Sequence, residues 1–255
     1  QKKTSISVGL TINFSTFEIH FLVMKKLLII LLLLPFIVYS QSTYEKAVKL
    51  FDQENYAQAK PLFLSLLKQE PKNLQVIEYL GDISSHQDDW DNSIVYYEKL
   101  KNLKPTEANY FYKYGGALGM KAKVGGKWVA IRLIGDMRAS FEKALQLNPK
   151  HIEARWALIE YYLQLPGFVG GSERKAQGYA NELMKLSPVD GYLSKAHIDE
   201  YFKRYLSAEK NYKLAIQVGG SKNTYERLAQ LYKEKLHQPE KAVQVLKNYN
   251  EKNKS

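Results

Sequence analysis

Apolar residues recur along the chain at helical spacing. From Tyr44 to Phe51 they fall at 44, 47, 48, 50 and 51, and from Tyr96 to Leu103 at 96, 97, 100 and 103. Both sets lie close to the i, i+3, i+4, i+7 pattern of an amphipathic helix. No alternating apolar and polar run is long enough to build a sheet. Asn55-Tyr56 and Asp88-Asp89-Trp90 read as turns between helices, because Asn and Asp bond from the side chain to the nearby backbone. Prolines punctuate the pattern. Pro71 and Pro105 are 34 residues apart, Pro149 follows after 44 and Pro188 after 39. Each closes an amphipathic stretch, LLKQEP, KLKNLKP, ALQLNP and LMKLSP, since proline lacks an N–H and clashes with the preceding helical turn.

Within this period small and aromatic residues keep fixed places. Ala47, Ala59, Phe63, Leu66 and Pro71 are matched by Gly81, Ser93, Tyr97, Leu100 and Pro105. A third set has Gly115, then Phe141, Ala144 and Pro149 after about ten extra residues. The fourth has Ala176, Ala180 and Leu183, with about five extra residues and Ala180 where an aromatic is expected. The fifth has Ala196, Ala208, Tyr212 and Ala215, with Gly220 in place of proline. The sixth has Leu228-Ala229, Tyr232 and Ala242, its second helix shifted by one residue. A 34-residue unit of this kind resembles the tetratricopeptide repeat, as found in exported bacterial proteins. The resemblance implies an all-α, right-handed α-solenoid of about six helix pairs, with repeats near 40–73, 74–107, 108–151, 152–188, 189–221 and 222–250. Small residues would let the two helices of a repeat cross closely, and the large ring would fill the space to the next repeat. The polar residues from Asn248 onward are expected to fray.

Two insertions interrupt the period, at Gly119 to Asp136 and Leu165 to Ser172. Both are read as lying between the first and second helix of a repeat, and such insertions map to one face of a solenoid. Gly125-Gly126-Lys127 is not a phosphate loop, because it lacks GxxxxGK[ST] and follows no strand. LPGFVGGS reads as a glycine-rich turn with Ser172 capping the next helix. The stretch WVAIRLI, Trp128 to Ile134, is expected to start a helix early and pack inward; an exposed apolar docking surface is the alternative.

The N-terminal region changes the picture of compartment. Met24-Lys25-Lys26 precedes the apolar run LLIILLLLPFIV, and Val38-Tyr39-Ser40 is an acceptable cleavage site. The pattern is that of a secretory signal peptide over 24–40. The run is shorter than the roughly 20 residues a spanning helix needs. Residues 1–23 read as an upstream, non-native segment and 41–255 as the repeat domain. Export implies a periplasmic or secreted location; an uncleaved segment would instead anchor the chain in the inner membrane. The whole chain carries +11, of which residues 1–40 contribute +3 through Lys2, Lys3, Lys25, Lys26 and Glu18. The remaining +8 is scattered among glutamates with no nucleic-acid-binding motif, so no nucleic-acid partner is expected.

Chemistry adds little. The chain has no cysteine, which excludes disulfides, thiolate metal sites and cysteine nucleophiles. His20, His86, His151, His197 and His237 are far apart, and no HExxH or GxSxG occurs. Asp88, Asp89 and Asp91 lack the pattern of a calcium loop and read as turn and cap residues. No enzyme, metal or cofactor is expected. The resemblance implies that the first helix of each repeat lines a groove through its positions 2, 5, 9 and 12. Here those include Tyr44, Val48, Glu78, Asp82, Tyr112, Trp156, Glu160, His197 and Glu200. The lysine and asparagine with which chaperone-binding members clamp acidic C-termini are absent from repeat one, where Tyr44 and Val48 stand. Aromatic anchors among carboxylates fit a peptide or protein partner, with membrane contact only if the signal segment is retained. The expected function is that of a cell-envelope interaction scaffold. A small enzyme or enzyme subunit with a site near the repeat-three insertion, and a membrane-tethered structural repeat protein, are the alternatives.

Overall fold

The computed structural model describes residues 24–26 and 42–252. Residues 1–23 and the apolar run and cleavage site of the signal segment lie outside the described residues. Among the described residues the chain is helical, without a strand. It forms two compact units, one ending at Tyr79 and one beginning at Leu80.

In the first unit, α1 (residues 42–52) and α2 (Tyr56–Gln69) form a hairpin that meets the start of α3 (Leu74–His86). Ala47, Ala59, Phe63, Leu66 and Ile77 are buried in its core. The Phe63 ring stacks on Tyr79 at 4.7 Å. Tyr44 and Phe51 meet the same tyrosine edge-on, at 6.3 and 4.9 Å.

The second unit continues with α4 (Trp90–Leu103), α5 (Ala108–Leu147), α6 (Ile152–Gln164), α7 (Glu173–Leu186), α8 (Pro188–Tyr201), α9 (Tyr205–Gly219), α10 (Lys222–Gln230) and α11 (Pro239–Lys252). The long α5 is itself a hairpin, because Gly126 leaves helical geometry with φ 77° and ψ −179°. Its arms run antiparallel, with Gly115 against Phe141 and Gly119 against Met137. Successive hairpins then pack on one another, α5 on α6, α7 on α8 and α9 on α10.

Each hairpin closes over a small residue. A Cβ built on Gly81 would lie 2.5 Å from the Tyr97 ring, and one on Gly115 would lie 2.7 Å from Phe141. In these two hairpins the aromatic covers the small residue of its own repeat, and the rings also fill the space to the next repeat as expected: Phe63 stacks on Tyr79 and Phe141 packs with Leu158 and Ile159. In the fourth repeat, which has Ala180 at the aromatic place, Tyr162 and Tyr179 supply stacked rings 6.0 Å apart.

The turns inside the hairpins share one device. Glu54, Asp88, Lys203 and His237 all have positive φ, between 53° and 59°. The next residue donates back to the helix it leaves: Asn55 to the Leu50 carbonyl, Asp89 to Ser84, and Arg204 to Asp199, at 2.7–2.8 Å. This six-residue closure is a Schellman motif, which satisfies carbonyls left open at a helix end. In the last hairpin the bond reaches one residue further, from Gln238 to Tyr232, because Leu231–Lys235 forms a π-helical turn. That turn absorbs the one-residue shift seen in the sixth repeat. In the α8–α9 turn the buried Asp199 carboxylate also accepts from Arg204 Nε, Ser207 Oγ and Asn211 Nδ2 at 2.6–2.9 Å.

The two insertions differ in kind. Residues 119–136 are helical and lengthen both arms of α5; they do not form a loop. WVAIRLI packs inward along one side only: Val129, Ala130, Leu133 and Ile134 are half-buried, whereas Trp128 and Ile131 are exposed, contrary to the expectation. The arms, 108–125 and 127–147, outrun the 13-residue α6 and the 14-residue α7, so their far ends have no neighbour to pack against. Residues 165–172 form a tight structural turn. Gly170 has φ 108°, and a Cβ on Gly171 would fall 1.8 Å from the Leu165 carbonyl oxygen. Ser172 then caps α7 by accepting from the Lys175 N–H, as expected. At the C-terminus α11 runs to Lys252, and the Tyr249 ring packs on Tyr225 at 5.2 Å; the last three residues of the segment expected to fray lie outside the described residues.

Two stability predictions follow from these contacts. A Cβ at Gly191 would come within 2.4 Å of the Met184 backbone, whereas one at Gly116 meets nothing within 4 Å. Gly191→Ala should therefore cost about 1–3 kcal/mol through overpacking, while Gly116→Ala should add roughly 0.5–1 kcal/mol of helix stability. Equal effects of the two in urea unfolding would refute this reading of the helix approach. Lys203→Gly removes the left-handed penalty of a side-chain-bearing residue and should gain up to about 1 kcal/mol. A lower thermal midpoint for that variant would contradict the turn geometry.

Candidate functional site

The residues singled out by repeat position all lie half-buried on the first helices of their hairpins. In the first unit Tyr44 packs edge-on against Phe63 and Tyr79 and donates to Gln75 Oε1 at 3.3 Å. Val48 lies one turn further along α1, and Glu78 sits on α3.

In the second unit Asp82 is engaged internally. Its carboxylate accepts from Tyr97 Oη at 2.6 Å and from Lys113 Nζ at 2.8 and 2.9 Å. Tyr112 lies between the rings of Phe141 and His151, at 6.2 and 5.1 Å. His151 Nδ1 caps α6 by accepting from the Ala154 N–H at 3.3 Å.

The structure brings four of the residues together where α6 meets α8. Trp156 Nε1 donates to Asp190 Oδ1 at 2.9 Å, and its ring lies 6.3 Å from His197. His197 Nε2 faces Glu160 Oε1 as an ion pair whenever the imidazole is protonated. Gln164 Nε2 donates to the same glutamate. One turn beyond His197, Glu200 accepts from Tyr212 Oη at 2.9 Å. Burial pushes the Glu160 carboxyl up, but hydrogen bonding and charge from His197, the Gln164 bond and the charge of Arg227 outweigh it, so its pKa lies below the ordinary value. Tyr212 is driven far upward, first by burial and then by the Glu200 carboxylate, and stays a donor.

This cluster separates two clefts. On one side lies an apolar cleft of about 550 Å³ between the arms of α5 and α6. Met120, Ile134, Met137, Phe141, Tyr161 and Leu165 line it, with Glu160 and Gln164 among the polar groups. On the other side is a polar cleft of about 410 Å³ lined by His197, Glu200, Tyr212 and Arg227. Arg227 and Asp190 were missed from the sequence. Carrying the 34-residue period on from Leu193 reaches Arg227, so that signal was present. Asp190 is a capping residue whose reach to Trp156 depends on how the hairpins pack.

The arrangement offers carboxylates, an imidazole and aromatic surface. No group of three or more potential metal ligands occurs among the described residues. No helix among them is long and apolar enough to cross a membrane.

No family model matches the chain, and no curated protein matches it significantly. Solved structures do. A thermophilic TPR protein of Thermus thermophilus, TTC0263, superposes with a TM-score of 0.60 at 15% identity, over 75% of this chain and 98% of its own. PilW, a type IV pilus biogenesis factor, gives 0.59 at 16% identity, over 81% and 90%. A tetratricopeptide repeat protein of Parabacteroides merdae gives 0.58 at 16%, over 82% and 78%. The chain has the tetratricopeptide-repeat fold, an all-α solenoid of helix-turn-helix repeats.

The depressed pKa of Glu160 makes a pH prediction. A carboxylate held below its ordinary value contributes stability at pH above the unfolded-state pKa and loses it as pH falls through the folded one. The stability difference between wild type and Glu160→Gln should therefore be full above the reference value of 4.5 and vanish in stronger acid. A difference that stays undiminished in strong acid, where the carboxyl is protonated in both states, would contradict the depressed Glu160 pKa.

Proposed function

We propose that the protein is an interaction scaffold of the cell envelope, a binding protein and not an enzyme, that holds a peptide or protein along α5, α6 and α8. The observation that carries this is Glu160, which borders the apolar cleft and remains partly open to solvent beside His197. A pocket with mostly apolar walls, Lys123 at one edge and the Glu160 carboxylate on the α6 side, suits an apolar side chain whose neighbouring lysine or arginine reaches Glu160. Of the nine groove positions, Trp156, Glu160, His197 and Glu200 form the binding set. Asp82 is committed to Lys113, and Tyr44 and Tyr112 serve packing. Val48 and Glu78 belong to the first unit and would offer a surface of their own there. Export rests on Met24-Lys25-Lys26 and the apolar run that follows.

Selection of a random peptide library on the full chain tests the reading. Enriched peptides should pair an apolar residue with an adjacent basic one. Glu160→Lys should weaken the best of them at least about tenfold, or about 1.4 kcal/mol. Enrichment of acidic peptides, or unchanged affinity in Glu160→Lys, would overturn it.

A further inference from the structure

The far end of the third hairpin, beyond Lys123 at the edge of the apolar cleft, is built differently from the rest of the surface. Where the chain reverses at Gly126, Val124 is 66% exposed, Trp128 82% and Ile131 54%. Trp128 and Ile131 stand one turn apart on the same arm, and Val124 faces from the other. Phe168, 90% exposed, projects from the next hairpin's turn, three residues beyond the Leu165 that shares the apolar cleft with the α5 arms.

The charged residues of the tip itself are basic, with Asp91 beside Lys121 and Asp136 one turn beyond Arg132. From Met120 to Gly135 the chain carries Lys121, Lys123, Lys127 and Arg132 and no acidic residue. Lys121 is bound to Asp91 at 2.7 Å. Lys123, Lys127 and Arg132 are exposed and have no carboxylate partner among the described residues.

We propose that this tip docks on the surface of an anionic lipid bilayer, with Trp128 at the headgroup boundary and Val124 and Ile131 below it. Tryptophan is favoured at that boundary because its ring is apolar and its N–H polar. Basic side chains beside apolar ones bind anionic interfaces through combined burial and charge attraction. The shape selects a bilayer over a peptide: the apolar residues stand on a convex end, which a fluid surface accommodates and an extended peptide does not enclose. The contact goes beyond peptide holding and does not depend on it.

The test reads Trp128 itself, so that membrane binding by the apolar 27–38 segment cannot stand in for it. The full chain is mixed with phosphatidylglycerol/phosphatidylcholine vesicles, and the difference between wild type and Trp128→Phe gives the Trp128 emission. Brominated acyl chains should quench that emission at least about twofold, with matching protection from acrylamide, as expected for an interfacial ring. Lys123→Glu/Lys127→Glu/Arg132→Glu should abolish the quenching. Salt at about 1 M, where charge attraction is screened to about 3 Å, should abolish it in the wild-type chain as well. Three results would overturn the proposal: unchanged acrylamide access on vesicles, equal quenching on pure phosphatidylcholine, or shielding of Trp128 by an acidic Glu/Leu peptide but not by lipid.

Discussion

The contact on which the second unit depends is an aromatic ring pressed against a residue with no room for a side chain. Tyr97 covers Gly81 and Phe141 covers Gly115, so the two helices of each hairpin meet nearly backbone to ring. Without that approach the facing apolar residues, among them Leu100 and Ala144, could not be fully buried. The same closeness recurs between hairpins, where Gly191 lies against the Met184 backbone. A pair of helices of this length is marginal alone in water. Burial shared with the neighbouring hairpins is what makes each pair stable.

Close packing also governs where polar groups are used. Buried and half-buried carboxylates are held by donors from the neighbouring helix or hairpin: Asp82 by Lys113 and Tyr97, and Asp199 by Arg204, Ser207 and Asn211. Leaving such groups without partners would cost more than their bonds return. A repeat position that faces a groove is therefore not by itself a binding residue. Glu160 differs because it is shared between a packing partner, His197, and an open cleft.

The third hairpin shows how a local change in length alters a repeated surface. Four of the other hairpins turn at a single left-handed residue, Glu54, Asp88, Lys203 or His237. Here the helices run on past their neighbours, and side chains that would be core at that spacing, such as Trp128, reach solvent. WVAIRLI has a helix-compatible, mostly apolar composition, but composition does not record whether a second surface is present to cover it.

Much of the architecture was determined by the sequence alone. The 34-residue period, the small residues at 47, 81, 115 and 196, the rings at 63, 97, 141 and 212, and the prolines after their helices specify local geometry, and local geometry is what a repeat needs. Tertiary structure decided the rest. It set which ring covers which glycine, that Asp82 is consumed by a lysine 31 residues away, that Trp156 reaches Asp190, and that the α5 arms outrun their neighbours. These are distances between segments far apart in the chain. Periodicity reports which face of a helix is apolar, while the partner that meets that face is chosen only when the hairpins stack.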